Sequence, residues 1–481
     1  MKRILLLAIL WAVSFFFSAS AQCADVQKIT GRVICGTEKV KGVVVTDGYS
    51  VCLTDKKGRY SLKVDPRSEF VYISSPSGYT VRTEHSVPQF YRFIRSKEEQ
   101  VKSVDFQLEK AKTDDTKHGF VAFADTQVKT AQQVHLAQQV MIDMKQELQT
   151  YKDISFHGLG CGDIVDDNPV LFDNIKSILA PLQIPFYQAL GNHDLYYDHR
   201  SNEKSGKVYE SHFGPDYYSF NRGEIHYVVL NDVFYIGRDY FYIGYIPESQ
   251  LEWLEKDLSM VEKDKTVVVT MHIPSALNQK DLNKFSYSNI SKSLSNKKAL
   301  YQMLEPYQEA HIVSGHMHVT NNIVISENIF EHNISSVCGA WWHGNYAEDG
   351  TPLGYAIFEV DETEIQWYYK SAGHKKEYQF NAYAVGENKE QVEYITANVW
   401  NWDPEWKVYW YEDGKRMGEM ENYTGKDPAT INSFKAMGEL NNPWISAKNT
   451  YHLFRAKPKS VSSTIRVEVI DRFGNSYIQG L

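Results

Sequence analysis

An apolar run, Pro185-Phe186-Tyr187-Gln188-Ala189-Leu190, stops abruptly at Gly191-Asn192-His193-Asp194. A run of this kind reads as a buried strand, and glycine lets the backbone turn sharply where it ends. An amide, an imidazole and a carboxylate are then presented together at a strand terminus. That combination suits a metal site with an acid catalyst beside it. One such turn is a weak constraint on its own. Its force comes from how the neighbouring strands end.

From His118 onward, strands and helices alternate. Phe120-Val121-Ala122-Phe123-Ala124 reads as a strand, and Val134, Ala137, Met141, Met144 and Leu148 then fall at helical spacing. Ile154 to Leu159 is a second strand. Asn168-Pro169 offers an N-cap and a first-turn proline for a helix to about Ala180. His226 to Leu230, Thr266 to Thr270 and His311 to Ser314 read as further strands, and Pro247 opens a helix carrying Leu251, Leu254, Leu258 and Val261 on one face. This alternation predicts an α/β region with helices outside the sheets.

The residues just past the strands share one chemistry. They are Asp125-Thr126-Gln127, Gly162-Asp163-Ile164-Val165-Asp166, Gly191-Asn192-His193-Asp194, Met271-His272 and Gly315-His316-Met317-His318. Open α/β folds build their sites at these strand ends. Carboxylates, an amide and imidazoles thus converge from five separate segments. The set resembles the calcineurin-like metallophosphoesterase family, whose motifs run Asp-x-His, Gly-Asp-x-x-Asp, Gly-Asn-His-Asp/Glu, His and Gly-His-x-His. The resemblance covers roughly Gly119 to Val360 and extends to the connecting phrases Phe213 to Phe220 and Gln250 to Leu254.

The resemblance implies a four-layer αββα sandwich holding two divalent cations (Mn, Fe, Zn or Mg) between its sheets. One cation would take Asp125, Asp163 and His318. The other would take Asp163, Asn192, His272 and His316, with Asp163 bridging. A bridging carboxylate suits cations about 3.5–4 Å apart, which together make hydroxide available near neutral pH. Gln127 stands where the family's first motif has histidine, so its neutral oxygen is a poorer donor there and tilts that side toward harder ions. His193, outside the ligand set, would face the leaving group, and Asp194 would fix its tautomer. Asp166 is expected to hold a neighbouring group, not a metal. The candidate substrate contacts are Trp341 and Trp342, Arg200 and His452.

The flanks differ from the middle. Val26 to about Lys112 is a series of short β segments punctuated by Asp47-Gly48 and Lys57-Gly58. It is expected to form a β-sandwich over 24–112, resembling transthyretin- or carboxypeptidase-regulatory-like domains. Ala111 to Lys117 reads as a linker, and the catalytic region is expected over 117–360. After it, Glu364 to Tyr369, Lys407 to Tyr411 and Ile465 to Val469 read as strands of a C-terminal β domain over 361–481.

The first 21 residues read as a secretory signal. Lys2-Arg3 precedes an apolar stretch from Ile4 to Phe17 and the small residues Ser18-Ala19-Ser20-Ala21. The stretch is shorter than the roughly 20 residues a spanning helix needs, so the chain is expected to be exported to the periplasm or cell exterior. Gln22 sits where lipoprotein processing at Cys23 would want a small residue. Cys35 and Cys52 lie in neighbouring strand-like segments, leaving a disulfide between them open. A net charge of −9 over 481 residues gives no basic footprint for nucleic acid. The expected activity is therefore phosphoester hydrolysis of a small-molecule or conjugated substrate, monoester or diester. A phosphoprotein or nucleotide phosphatase is the alternative within enzymes. A non-catalytic surface or glycan-binding protein on the same scaffold is the alternative outside them. Oligomeric state is not readable.

Overall fold

The computed structural model describes residues 27–95, 101–238, 241–282, 284–438 and 442–481. The signal segment and Cys23 lie outside the described residues. Two sheets face each other at the centre of the chain. In the first, β1 (Lys117–Phe123), β2 (Ser155–Gly160) and β3 (Phe186–Gln188) run parallel. In the second, β4 (Tyr218–Arg222) pairs antiparallel with β5 (Ile225–Val229), followed by parallel β6 (Thr266–Thr270), β7 (Glu309–Ser314) and β9 (Ile329–Asn333), with β8 (Asn321–Val324) antiparallel at the edge. Helices α1 (Ala131–Leu148) and α2 (Phe172–Leu179) cover one outer face, and α3 (Glu248–Leu258) and α4 (Lys297–Leu304) cover the other. The result is the four-layer αββα sandwich.

Two further strands, β10 (Gly354–Asp361) and β11 (Glu364–Ser371), complete the first sheet in the order β3-β2-β1-β10-β11. This corrects the placement of Glu364 to Tyr369 in the C-terminal region. β11 pairs antiparallel with β10 from Gly354↔Ser371 to Asp361↔Glu364 across a two-residue turn, with Glu362 in the left-handed region. Its outer face is held by α1: Tyr368 Oη donates to Glu147 and Lys370 Nζ pairs with Asp143 at 2.9 Å. A tight hairpin keeps its second strand in the sheet of its first.

The space between the sheets is filled by aromatic rings and imidazoles. Tyr187 of β3 stacks on Phe220 of β4 at 3.7 Å, His157 of β2 stands edge-on to Tyr227 of β5 at 4.6 Å, and His332 of β9 meets Trp367 of β11 at 4.5 Å. His118 Nε2 and Tyr227 Oη are 2.6 Å apart, and Arg222 reaches both Asp115 and His157 at 2.9 Å. Burial therefore depresses these imidazoles: His118 falls to about 3, with the Arg222 charge adding to the effect, and His157 and His332 fall well below the usual value.

The N-terminal strands form two sheets, as expected for a sandwich. One contains Lys28–Cys35, Arg59–Lys63 and Phe106–Lys110, the other Val44–Thr46, Phe70–Ser74 and Tyr91–Phe93. Cys35 and Cys52 are both free thiols. This module joins the central core directly: Phe90 packs on Tyr218 at 4.5 Å and Ser219 Oγ donates to Ser74 at 2.9 Å. The C-terminal region builds two four-stranded sheets around a core of its own, with a helix, Pro428–Met437, capped by Asp427. Among the described residues no helix is long and apolar enough to cross a membrane.

Candidate metal centre

Each parallel strand delivers its polar residues at its C-terminal end: β1 to Asp125, β2 to Asp163, β3 to Asn192, β6 to His272 and β7 to His316 and His318. The chain turns there at an energetic cost. Asp125, Gln127, Asp163, His316 and His318 all have positive φ, between 39° and 70°. Left-handed backbone costs a non-glycine residue about 1–2 kcal/mol and persists only where the surroundings enforce it. Gly191 is one enforcing element. A Cβ there would lie 2.0 Å from the Asp163 amide nitrogen and 2.2 Å from its Oδ1, so only glycine lets the two loops touch.

The three imidazoles are set the same way. His272 Nδ1 donates to the Cys161 carbonyl at 2.8 Å, His316 Nε2 to that of Ser291 at 2.9 Å and His318 Nδ1 to that of Gly339 at 3.0 Å. A nitrogen facing a carbonyl must carry the proton, so the opposite nitrogen presents its lone pair inward. Those inward nitrogens converge. His272 Nε2 lies 3.1 Å from His316 Nδ1, 3.0 Å from Asn192 Oδ1 and 3.3 Å from Asp163 Oδ1. His318 Nε2 lies 3.5 Å from Asp125 Oδ1, a fully buried oxygen with no hydrogen-bond partner. Lone pairs gathered around a buried carboxylate oxygen that no donor reaches fit cations, not a polar core. In the metal-free protein a proton on His272 stands where a cation would draw on its lone pair. Burial opposes charge on His272, but Asp163 outweighs it and raises His272 to about 10, whereas burial and the neighbouring His272 charge depress His316 to about 3. Two touching imidazoles cannot both be charged.

Three family profiles match successive parts of the chain: "N terminal of Calcineurin-like phosphoesterase" over 27–111, "Calcineurin-like phosphoesterase" over 142–320 and "C terminal of Calcineurin-like phosphoesterase" over 331–477. The chain belongs to the calcineurin-like phosphoesterase family. Among curated proteins it is 28% identical over 159 residues to a 3′,5′-cyclic-nucleotide phosphodiesterase of Nostoc sp., covering 33% of this chain and 53% of that one. It is also 28% identical over 152 residues to a serine/threonine-protein phosphatase of Homo sapiens, covering 29% of this chain and 46% of that one. The chain thus spans about half the length of the curated relatives it matches. Among solved structures, a dimetal phosphatase from Danio rerio is 14% identical with a TM-score of 0.39, covering 53% of this chain and 96% of that one. A purple acid phosphatase from yellow lupin is 12% identical with a TM-score of 0.40, covering 69% and 67%.

Within this calcineurin-like site, several residues hold positions the sequence does not suggest. Gln127 turns its amide nitrogen, not its oxygen, to the centre: Nε2 donates to Asp163 Oδ2 at 3.1 Å and the Cys338 thiol faces Oε1 at 3.6 Å. An amide beside a carboxylate is best satisfied as a donor, so Gln127 orients Asp163 where a histidine would offer a lone pair. Asp194 is corrected as well. It is fully buried and accepts the Gly191 and Val165 amides at 2.9 and 3.1 Å, tying the third loop to the second. Burial and the nearby Asp163 charge raise it to about 7. His193 is held instead by Asp167 Oδ1, 2.9 Å from Nδ1, with Asp166 Oδ1 at 3.3 Å. The Asp166-Asp167 doubling in the second motif was the available signal for this role.

Burial opposes charge on His193, but Asp163, the Asp167 hydrogen bond and the Asp167 charge raise it to about 9. The Asp163 share falls away once that carboxylate binds cations; the Asp167 bond remains. Asp167→Asn is therefore expected to lower kcat about ten- to a hundredfold with KM and bound metal unchanged, checked by steady-state kinetics beside elemental analysis. Asp232 is the other residue missed. It follows β5 as the ligands follow their strands, but it accepts the His272 and Ile273 amides at 3.1 Å and so fixes the loop from below.

Of the expected substrate contacts, Trp341 stacks on the His318 ring at 4.3 Å, and Trp342 Nε1 donates to the Thr126 carbonyl at 3.1 Å, between Asp125 and Gln127. Both have positive φ. They buttress the ligand loops. Arg200 is exposed and is not brought to the centre by any described hydrogen bond or ion pair. His452 is buried away from substrate: Nδ1 is 2.6 Å from Asn398 Oδ1 and Nε2 is 3.2 Å from Asp349 Oδ2. Asp349 in turn accepts the Thr320 amide at 2.8 Å, two residues past His318. Removing His452 loosens that strap, so His452→Ala is expected to weaken metal binding at the His318 loop about tenfold, read by Mn²⁺ titration.

Proposed function

We propose that this chain is an exported, divalent-metal-dependent hydrolase of phosphoesters. The observation that carries the reading is the set of three imidazoles, each donating outward to a carbonyl and all pointing lone pairs at Asp125, Asp163 and Asn192. One cation is assigned to Asp125, Asp163 and His318, the other to Asp163, Asn192, His272 and His316. Bound there, they would supply hydroxide at neutral pH and offset charge on the phosphoryl oxygens. Asp163 would be shared between them, its carboxylate oriented by Gln127 and by the His193 amide at 2.8 Å. His193, with Nδ1 occupied by Asp167, has Nε2 free to give its proton to the departing oxygen. A structural metal site has no use for that second carboxylate–imidazole pair, which favours an enzyme over a silent scaffold.

The curated relatives act on a phosphodiester in one case and on phosphoprotein in the other, so the reading covers both ester classes. The test is turnover of a panel of phosphomonoesters and phosphodiesters by metal-stripped protein with Mn²⁺, Zn²⁺, Mg²⁺ or Fe²⁺ restored. Activity that returns with metal and is lost in His193→Ala supports the proposal; no turnover with any combination sinks it. Export is read from the Lys2 to Ala21 segment and is checked by the mature N-terminus, expected at Gln22.

A further inference from the structure

Behind the tryptophan that buttresses the Asp125–Gln127 loop lies a second cavity, of about 700 Å³, walled by α1, the loop after Trp342 and the segment after β11. That volume is in the range of small-ligand pockets. Its lining is specific in kind. Trp342, Tyr346 and His374 bring aromatic surface, and Gln139, Gln146 and Asn345 bring side-chain amides. All three residues are exposed, so their amides stand at the solvent edge of the cavity and can both donate to and accept from a ligand there.

No lysine or arginine lines the cavity. Its one carboxylate, Asp143, is already engaged by Lys370 and Tyr355 through Oδ1 and by the Gly373 amide through Oδ2. A phosphate would find no cation there, and a cation would find no free carboxylate. A purely apolar ligand would use the walls and leave the amides at the edge to water. What remains is a neutral molecule with hydroxyls around its edge and a flat apolar face. Gln139 and Gln146 lie seven residues apart on one stripe of α1, about 10 Å along the helix, which is the reach of two linked pyranose rings.

We propose that this cavity binds a neutral saccharide, stacked against the Trp342 wall and hydrogen-bonded by Gln139, Gln146 and Asn345. This site is separate from the metal centre and does not depend on the hydrolase reading. Trp342, whose indole nitrogen holds the Thr126 carbonyl, is the wall the two sites share.

The test uses the full mature chain with maltose, cellobiose, lactose and N,N′-diacetylchitobiose as probes, followed by tryptophan fluorescence and saturation-transfer NMR. At least one disaccharide is expected to bind at millimolar concentration, with the Gln139→Ala, Gln146→Ala double variant weakened about tenfold. Both positions are exposed on a helix, where alanine is well tolerated. The double variant should keep wild-type metal content and thermal stability, which separates lost binding from lost fold. Absence of binding by all four sugars at about 10 mM, or equal binding by the double variant, overturns the proposal. Lack of phosphoester turnover would sink the hydrolase reading and leave this one standing.

Discussion

Asp163→Ala is expected to lose both cations and to lower turnover about a thousandfold or more, because under the proposed assignment one carboxylate would serve both sites and the cations would supply several kcal/mol of transition-state stabilisation. Gln127→Ala, one hydrogen bond away, should lose far less. Its nitrogen donates to Asp163 Oδ2, so removing it frees that oxygen and leaves the proposed ligands in place. A tenfold loss of affinity, about 1.4 kcal/mol, is the size expected for one supporting bond to a charged group. Elemental analysis and Mn²⁺ titration of the two variants in parallel decide the matter. Equal metal loss would mean that Gln127 flips its oxygen inward and ligates after all.

The second large effect is on stability in acid. His118, His157 and His332 are buried between the sheets with folded-state values held below the usual 6.5, His118 at about 3. The unfolded chain therefore binds protons that the folded chain refuses. Their contribution is intact above about pH 6.5 and is lost as pH falls from there toward the folded values. Each imidazole removes about 1.4 kcal/mol per pH unit once the unfolded state is protonated. A total stability of roughly 5–15 kcal/mol leaves only a few units of tolerance.

In metal-free protein, His272, raised to about 10, acts with the opposite sign. It contributes fully below about 6.5 and loses that contribution as pH rises through its folded value. The measurement is therefore made as a difference: urea unfolding of wild type and His118→Gln between pH 7 and 5. The variant should lose about 1.4 kcal/mol per pH unit of slope. Parallel slopes would show that His118 does not carry the effect.

How much of this was legible beforehand follows from where each residue sits. Asp125, Asp163, Asn192, His272, His316 and His318 could be read because each directly follows an apolar run, and a run fixes both the strand and its end. Their partners could not. The carbonyls of Cys161, Ser291 and Gly339 that set the tautomers belong to backbone, and every residue has one. Adjacency to His193 singles out Asp194 in the sequence, whereas the 3₁₀ turn at Asn192–Asp194 sends its carboxylate to the Gly191 and Val165 amides and leaves the imidazole to Asp167. β11 is an alternating aromatic strand whose sequence reads the same in either sheet; only its short hairpin to β10 decides. The inter-sheet histidines gave no signal at all, since a lone imidazole in an apolar run fits a core or a site equally.

The division of the chain into three homologous segments does not match its division into cores. The N-terminal sandwich and the catalytic sheets share one continuous apolar interior, while the C-terminal sheets have their own. Inheritance and cooperativity therefore follow different borders. A fragment beginning at His118 would expose the faces that Phe90 and Ser74 now cover, and would behave as a wounded half rather than a minimal enzyme. The C-terminal unit could melt separately, yet it grips the His318 loop through His452 and Asp349. Its unfolding would then dim catalysis before the active-site sheets had lost a single strand, making the far end of the chain a thermal fuse for the metal centre.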